Sequence, residues 1–308
     1  MERVTGATGK DAMNFQYWSF VVSLVVQVAT LVLSIVTLAE YHPPPVLRLV
    51  LVLETVVQAV EFAWYLVVGV AYQYFDHSTG TNSRYFDWVI TTPTMLISLL
   101  FLIFYYHDEC ISVASMTQSE YFGSLLLVII IADWGMLLCG AVSRNRNYNR
   151  GGTAYNETLE GALSQKNRRR EPCWLVAGFV ALIVSFVPHL STLSGRYSAE
   201  AMWLIAATFG VWVLYGLVEV WQYVEERAQL KASLLDRDRG CDTVALHDGR
   251  PKTAALQNAL YSVLKLHDGR LKTAALQNAL YNVLDILAKN LTGIFVAVVA
   301  LGYDKDTC

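Results

Sequence analysis

The chain has 308 residues, of which 55% are hydrophobic and only 16% charged, with a mean hydropathy of +0.38. That is too apolar for an ordinary soluble domain, and the apolar residues arrive in blocks. The net charge of −3 and the lack of a basic helix give no footing for nucleic acid; the five cysteines have no CxxC spacing and the six histidines no metal-ligand pairing, which excludes a disulfide framework or metal centre.

Residues 1–14 are polar, and the block that follows is too long for the core of a cleavable signal peptide. It is the first of seven, at about 15–39, 46–72, 85–106, 121–143, 173–193, 201–224 and 273–303, each suited to a ~30 Å hydrocarbon layer. None shows the alternation of barrel strands, and helices satisfy their own backbone groups in lipid. The pattern predicts an all-α membrane protein, a seven-transmembrane-helix bundle forming one domain over residues 1–308.

In the second block, "ETVVQAVEFAWY" puts Glu54, Gln58, Glu61 and Tyr65 at i, i+4, i+7 and i+11, a polar stripe down one helical face. Carboxyls inside a span are functional by default; a stripe of them draws cations and water into an internal cavity. The blander alternative makes Glu54 interfacial and Glu61 a structural hydrogen-bonder. In the third block, "RYFDWVITTPTML" places Arg84, Asp87 and Thr91 on one face, so that Asp87 lies between a cation and a hydroxyl. Pro93 predicts a kink, tolerated where neighbours re-satisfy the freed carbonyl.

The joints are uneven. "YHPPP" (41–45) and "HDECISVASMTQSE" (107–120) are short, whereas 144–172 is long, basic and rich in Gly and Asn. "LHDGRPKTAALQNALYSVLK" (246–265) is followed at once by "LHDGRLKTAALQNALYNVLD" (266–285), a tandem duplication differing at three positions. Only the second copy runs on into an apolar stretch. The first reads as an amphipathic surface helix, with Leu256, Ala259, Leu260, Val263 and Leu264 on one face.

In the seventh block Asp285 and Lys289 are one helical turn apart. A charge near the middle of a span costs roughly 2.5–3.5 kcal/mol on insertion scales. Lys289 is too deep to reach the interface by snorkelling, so it should face the interior with Asp285 beside it. A buried lysine amine is suited to condense with an aldehyde into a Schiff base, and a protonated imine needs a carboxylate nearby. The alternative for this pair alone is a structural intramembrane ion pair.

"RYFDWVITTP" resembles the third-helix signature of the microbial (type 1) rhodopsins, and "LDILAK" resembles their seventh-helix retinal-lysine motif. The resemblance covers roughly residues 12–303 apart from the duplication, and "YNVLDILAKN" and "ITTPTML" are most similar to the viral and related eukaryotic members. It implies that Lys289 links all-trans-retinal, that Asp87 and Asp285 are the counterions, that Arg84 lies beneath them and that Thr91 bonds near Asp87. It further implies a chromophore pocket from Trp88, from Trp212 and Tyr215 in "WVLY", and from Asp133 and Met136 in "ADWGM", with Asp133 pairing with Thr92. Gly216 departs from the proline many members carry.

An outward proton pump of this family needs an internal carboxylic donor where this chain has Ser98, and a serine has no proton to give near neutral pH. Pumping is thereby disfavoured, and the chloride-pump pattern is absent because Asp87 is a carboxylate. The resemblance and the acidic stripe together imply a light-gated channel for cations or protons, with Arg84, Glu54, Gln58, Glu61 and Ser98 along the ion pathway. The alternatives are an outward proton pump and a sensory rhodopsin signalling to a partner protein. No catalytic domain is appended, so no enzyme activity is expected. The expected partners are retinal, the lipid bilayer of the plasma membrane, transported ions and further copies of the chain. Family topology puts the N-terminus outside, the positive-inside rule argues the reverse, and the "NET" sequon at 156–158 suits an outside loop.

Overall fold

Backbone polar groups in hydrocarbon have no water to bond, so long apolar runs close their hydrogen bonds within the segment and become helices. In a computed structural model of the chain, the described residues are 2–74, 80–108, 111–118, 121–151, 171–192, 199–244 and 275–302. The duplicated copy 246–265 and the sequon at 156–158 lie outside them. Seven long helices occur among the described residues: α1 (Glu2–Glu40), α2 (Pro45–Tyr74), α3 (Gly80–His107), α5 (Phe122–Gly151), α6 (Glu171–Thr192), α7 (Ala199–Val244) and α8 (Ala275–Leu301). A short α4 (Val113–Thr117) lies between α3 and α5. No strand occurs among the described residues.

Six helices contain stretches long and apolar enough to cross a membrane, the exception being α2. At 30 residues α2 spans about 45 Å, ample for the bilayer, but Glu54, Gln58 and Glu61 interrupt its apolar run. The helices extend beyond the expected apolar blocks in three places. α1 begins at Glu2, α5 runs to Gly151 and α7 to Val244, because polarity marks where a helix leaves lipid and not where its backbone stops. The joint at 107–120 also contains a helix: the Ser112 side chain caps α4 by accepting from the Ser115 amide at 3.0 Å.

The described chain divides into two compact units. In the larger, Ser23–Val213 with Leu284–Cys308, α3 packs against α2, α5 and α6, and α8 packs against α2. The core is built from Leu47, Val50 and Leu51 of α2, Leu96 and Leu100 of α3, Phe186 of α6, and Val296 of α8. The apolar stretch of α3 is 72% buried and that of α5 only 22%, so α3 is the enclosed helix while α5 turns most of its surface to lipid. Exposed Val25, Ile131 and Val180 are ordinary for such a surface, since lipid tails impose no penalty on apolar side chains.

Pro93 lacks an amide hydrogen, which frees the Val89 carbonyl one turn back. The Trp134 indole Nε1 of α5 donates to that carbonyl at 3.1 Å, so a neighbouring helix satisfies the break. The hydroxyls of Thr30, Thr37, Thr55 and Thr94 each donate to the carbonyl four residues earlier, leaving none bare to lipid.

In the smaller unit, Met1–Val22 with Leu214–Val283, Tyr281 is fully buried. Its hydroxyl donates to Glu219 and accepts from Gln277 Nε2 at 3.2 Å, and Asn282 Nδ2 donates to Ser19 Oγ at 2.9 Å.

Gly293 lets three helices of the larger unit approach closely. A β-carbon there would lie 3.1 Å from Thr30 Cγ2 and 3.2 Å from Gln58 Nε2. Gly293→Val should therefore cost about 1–3 kcal/mol through overpacking, read as a lower denaturation midpoint in detergent. Valine at the lipid-facing Gly210, which has open space around it, is the neutral control.

Candidate functional site

The α-helical hydrogen bonding of α8 is interrupted at Ile286–Asn290, where a π-helical turn takes over and the Leu291 amide bonds to the Ile286 carbonyl five residues back. Such bulges are rare and often sit at functional positions, because they redirect side chains. Lys289 lies inside this turn and is 1% exposed. Its own carbonyl accepts a hydrogen bond from Gln58 Nε2 of α2 at 2.9 Å, which clamps the turn to the polar stripe.

The Lys289 ammonium faces three carboxylates. Its Nζ donates to Asp87 Oδ2 at 2.9 Å, and it lies 3.3 Å from Glu61 Oε1 and 3.5 Å from Asp285 Oδ1. At an effective dielectric of about 20 each attraction is about 5–6 kcal/mol, so distance alone hardly ranks them. Hydrogen bonding does. Asp285 has its other oxygen engaged by Arg84 Nη1 at 2.8 Å and by the Tyr65 hydroxyl at 3.1 Å, and Glu61 lacks hydrogen-bond geometry to the amine. Asp87 is the principal partner of Lys289, and Asp285 is shared with Arg84.

Arg84 bonds Asp285, its guanidinium reaching across to α8, and stands near enough to Asp87 for its charge to act on that carboxyl as well. Thr91 does not bond the Asp87 carboxylate: its Oγ1 donates to the Asp87 backbone carbonyl at 3.0 Å, the usual back-bond of a helical threonine. Asp87 Oδ1 accepts no hydrogen bond among the described residues.

Around this centre, Thr92 Oγ1 donates to Asp133 Oδ2 at 2.7 Å, joining α3 to α5. Trp88 is buried with its ring edge-on to Tyr85 at 5.4 Å, and Trp212 is buried edge-on to Phe186 at 5.9 Å. Met136 packs half-buried against the core. Tyr215 belongs to the smaller unit, where its ring stacks on Tyr281 at 5.8 Å. Glu54, Gln58, Glu61 and Ser98 are all buried. The stripe of α2 therefore faces inward along its whole length.

Sequence reasoning placed Glu61 on an ion pathway and missed it as a third acid beside the lysine. It also gave Tyr65 no role beyond the stripe, and passed over Asn290, whose side-chain amide is buried without a hydrogen-bond partner. The i, i+4 step from Glu61 to Tyr65 was the available clue, but which span the stripe faces is a tertiary fact.

The residues suit retinal. An enclosed primary amine, anions on one side of it, and two buried indoles are what a long apolar aldehyde needs for attachment and shelter.

Comparison with known proteins agrees. The model of the bacteriorhodopsin-like protein family matches residues 14–237. Viral rhodopsin OLPVRII has a similar structure, with a TM-score of 0.60 at 19% identity, covering 93% of this chain and 97% of that one. Cyanorhodopsin from the cyanobacterium Tolypothrix sp. NIES-4075 follows at 0.52 and 14%, covering 92% and 93%. The bromide-bound form of halorhodopsin from Halobacterium salinarum gives 0.51 and 16%, covering 95% and 96%. No curated protein matches by sequence.

The fold and the enclosed lysine define an integral membrane protein of the retinal-binding class. The chain belongs to the bacteriorhodopsin-like family, the microbial rhodopsins, whose members are photoreceptors and ion transporters.

Asp87→Asn should shift visible absorption of the retinal-reconstituted protein to the red by removing the anion bonded to Lys289. Asp285→Asn should shift it less, since that carboxylate is shared with Arg84. Absorption spectra of both variants check the order.

Proposed function

We propose that the chain is a light-gated ion conductance for cations or protons, held in the plasma membrane and using all-trans-retinal on Lys289. The observation that carries this reading is the stripe Glu54–Gln58–Glu61–Tyr65, fully interior and joined to the lysine by Gln58 and Glu61.

The chemistry retinal supplies at Lys289 is light absorption followed by a change of shape that displaces the charged nitrogen. The protein's own residues do the rest. Trp88 and Trp212 shelter the site from lipid and water, and Asp133 with Thr92 ties α3 to α5 beside it. In darkness the positive charge at Lys289 compensates Asp87, Glu61 and part of Asp285. Moving that charge away leaves three acids facing Arg84 alone. Like charges held this close in a low-dielectric interior repel one another, which biases the arrangement towards any state that relieves them. The relief available is to take up a proton, a cation or water, and the acidic face of α2 is where each is best received.

Voltage-clamp recording under illumination tests the reading. A photocurrent that reverses with voltage is expected, and Glu61→Gln should reduce it and alter its cation selectivity. A current of one sign at every voltage would identify a pump. Steady photochemistry without current would favour a sensor acting on a partner protein.

Lys289→Ala should abolish visible absorption after retinal is added. Retained colour would assign the chromophore to another lysine.

A further inference from the structure

Away from the lysine cluster, α2, α3, α7 and α8 enclose a small cavity of about 10 Å³, lined by Glu54, Ser98, Thr208 and Thr292 among apolar side chains. On this measure the space suits one water molecule, and four polar side chains are enough to hold it. Both carboxyl oxygens of Glu54 and the hydroxyl of Ser98 are buried and make no well-formed hydrogen bond among the described residues, although Ser98 lies close enough to act on the Glu54 carboxyl. No Lys, Arg or His lines the cavity. An unpaired carboxylate enclosed in this way would bear the full penalty of a buried charge, so Glu54 holds its proton.

Position gives the proton a use. Glu54 is two helical turns from Glu61, roughly 10 Å along α2. Thr292 lies one turn beyond Lys289 on α8 and donates to the Ala288 carbonyl at 2.6 Å, alongside the π-helical turn. Arg84 and Tyr65 engage Asp285, the acid one turn before Lys289. The lysine thus stands between a charged cluster on one side and a neutral, protonated acid on the other. Ser98 has no proton to supply, but the structure sets an acid directly across the cavity from it.

We propose that Glu54 is a proton-storing acid that, through water beginning with a molecule held by Ser98 and Thr292, returns a proton to the nitrogen at Lys289 after light has driven the first one off towards Asp87. The carboxyl O–H of Glu54 breaks, the nitrogen gains the proton, and the resulting Glu54 carboxylate regains one from the aqueous phase at its end of α2. Asp87 then releases to water the proton it took from the nitrogen, so that charge and protons balance over the cycle. This rests on the reading of Lys289 as the retinal site.

Two measurements test it. The first is the infrared spectrum of the full-length protein without retinal, in H2O and D2O. Wild type minus Glu54→Gln should show a carboxylic C=O band that shifts in D2O. The second is flash photolysis of the retinal-bound protein. Return to the dark spectrum should slow by roughly 100-fold in Glu54→Gln, the scale of a lost general acid. Glu54→Asp should keep both the band and a fast return, and Glu54→Gln/Ser98→Asp, which moves the acid across the cavity, should recover most of the rate. The proposal is overturned if the band is missing, if Glu54→Gln returns at the wild-type rate, or if Glu54→Asp loses as much as Glu54→Gln. Wild type that stays colourless with retinal would defeat the retinal reading instead, while the band still reports on Glu54.

Discussion

A lysine ammonium enclosed among helices must be matched by anions held close, because an uncompensated charge in a low-dielectric interior outweighs most of a domain's net stability. That requirement organises the centre of this protein. Lys289 is enclosed to 1% exposure, and three acids from three helices converge on it. Three carboxylates would in turn repel one another, and Arg84 offsets part of that by its bond to Asp285. The arrangement is thus balanced by two cations rather than one, which makes it sensitive to displacement of either.

The backbone is adapted to hold these groups. A π-helical turn carries Lys289, and its carbonyl is tied to α2 by Gln58. Pro93 breaks α3 one and a half turns after Asp87, and the carbonyl it frees is taken by Trp134 of α5. Glycine at 293 removes the side chain that would hold α8 away from Thr30 and Gln58. Each is a local departure from helical regularity, and each is satisfied by a neighbouring helix. Together they bring α2, α3 and α8 near enough for side chains of ordinary length to meet.

The polar stripe of α2 serves two environments. Its Glu61–Tyr65 end joins the charged cluster, and Glu54 at the other end sits among apolar residues and hydroxyls without a cation. Acids seven residues apart on one helix are therefore held in different electrostatic states.

The helices and the lysine were legible in the sequence, because hydropathy and the cost of burying charge act locally along the chain. Asp285 and Lys289 one turn apart required an interior face, and the stripe from Glu54 to Tyr65 required a polar one. Helix limits were less legible: α7 continues to Val244 because backbone bonding outlasts the apolar run. What α2 faces, which acid bonds Lys289, where the Arg84 guanidinium goes, and that Glu54 meets Ser98 across a cavity all depend on how helices distant in sequence rotate and pack. Periodicity states which residues share a face; only the packing of other helices against that face decides what they touch.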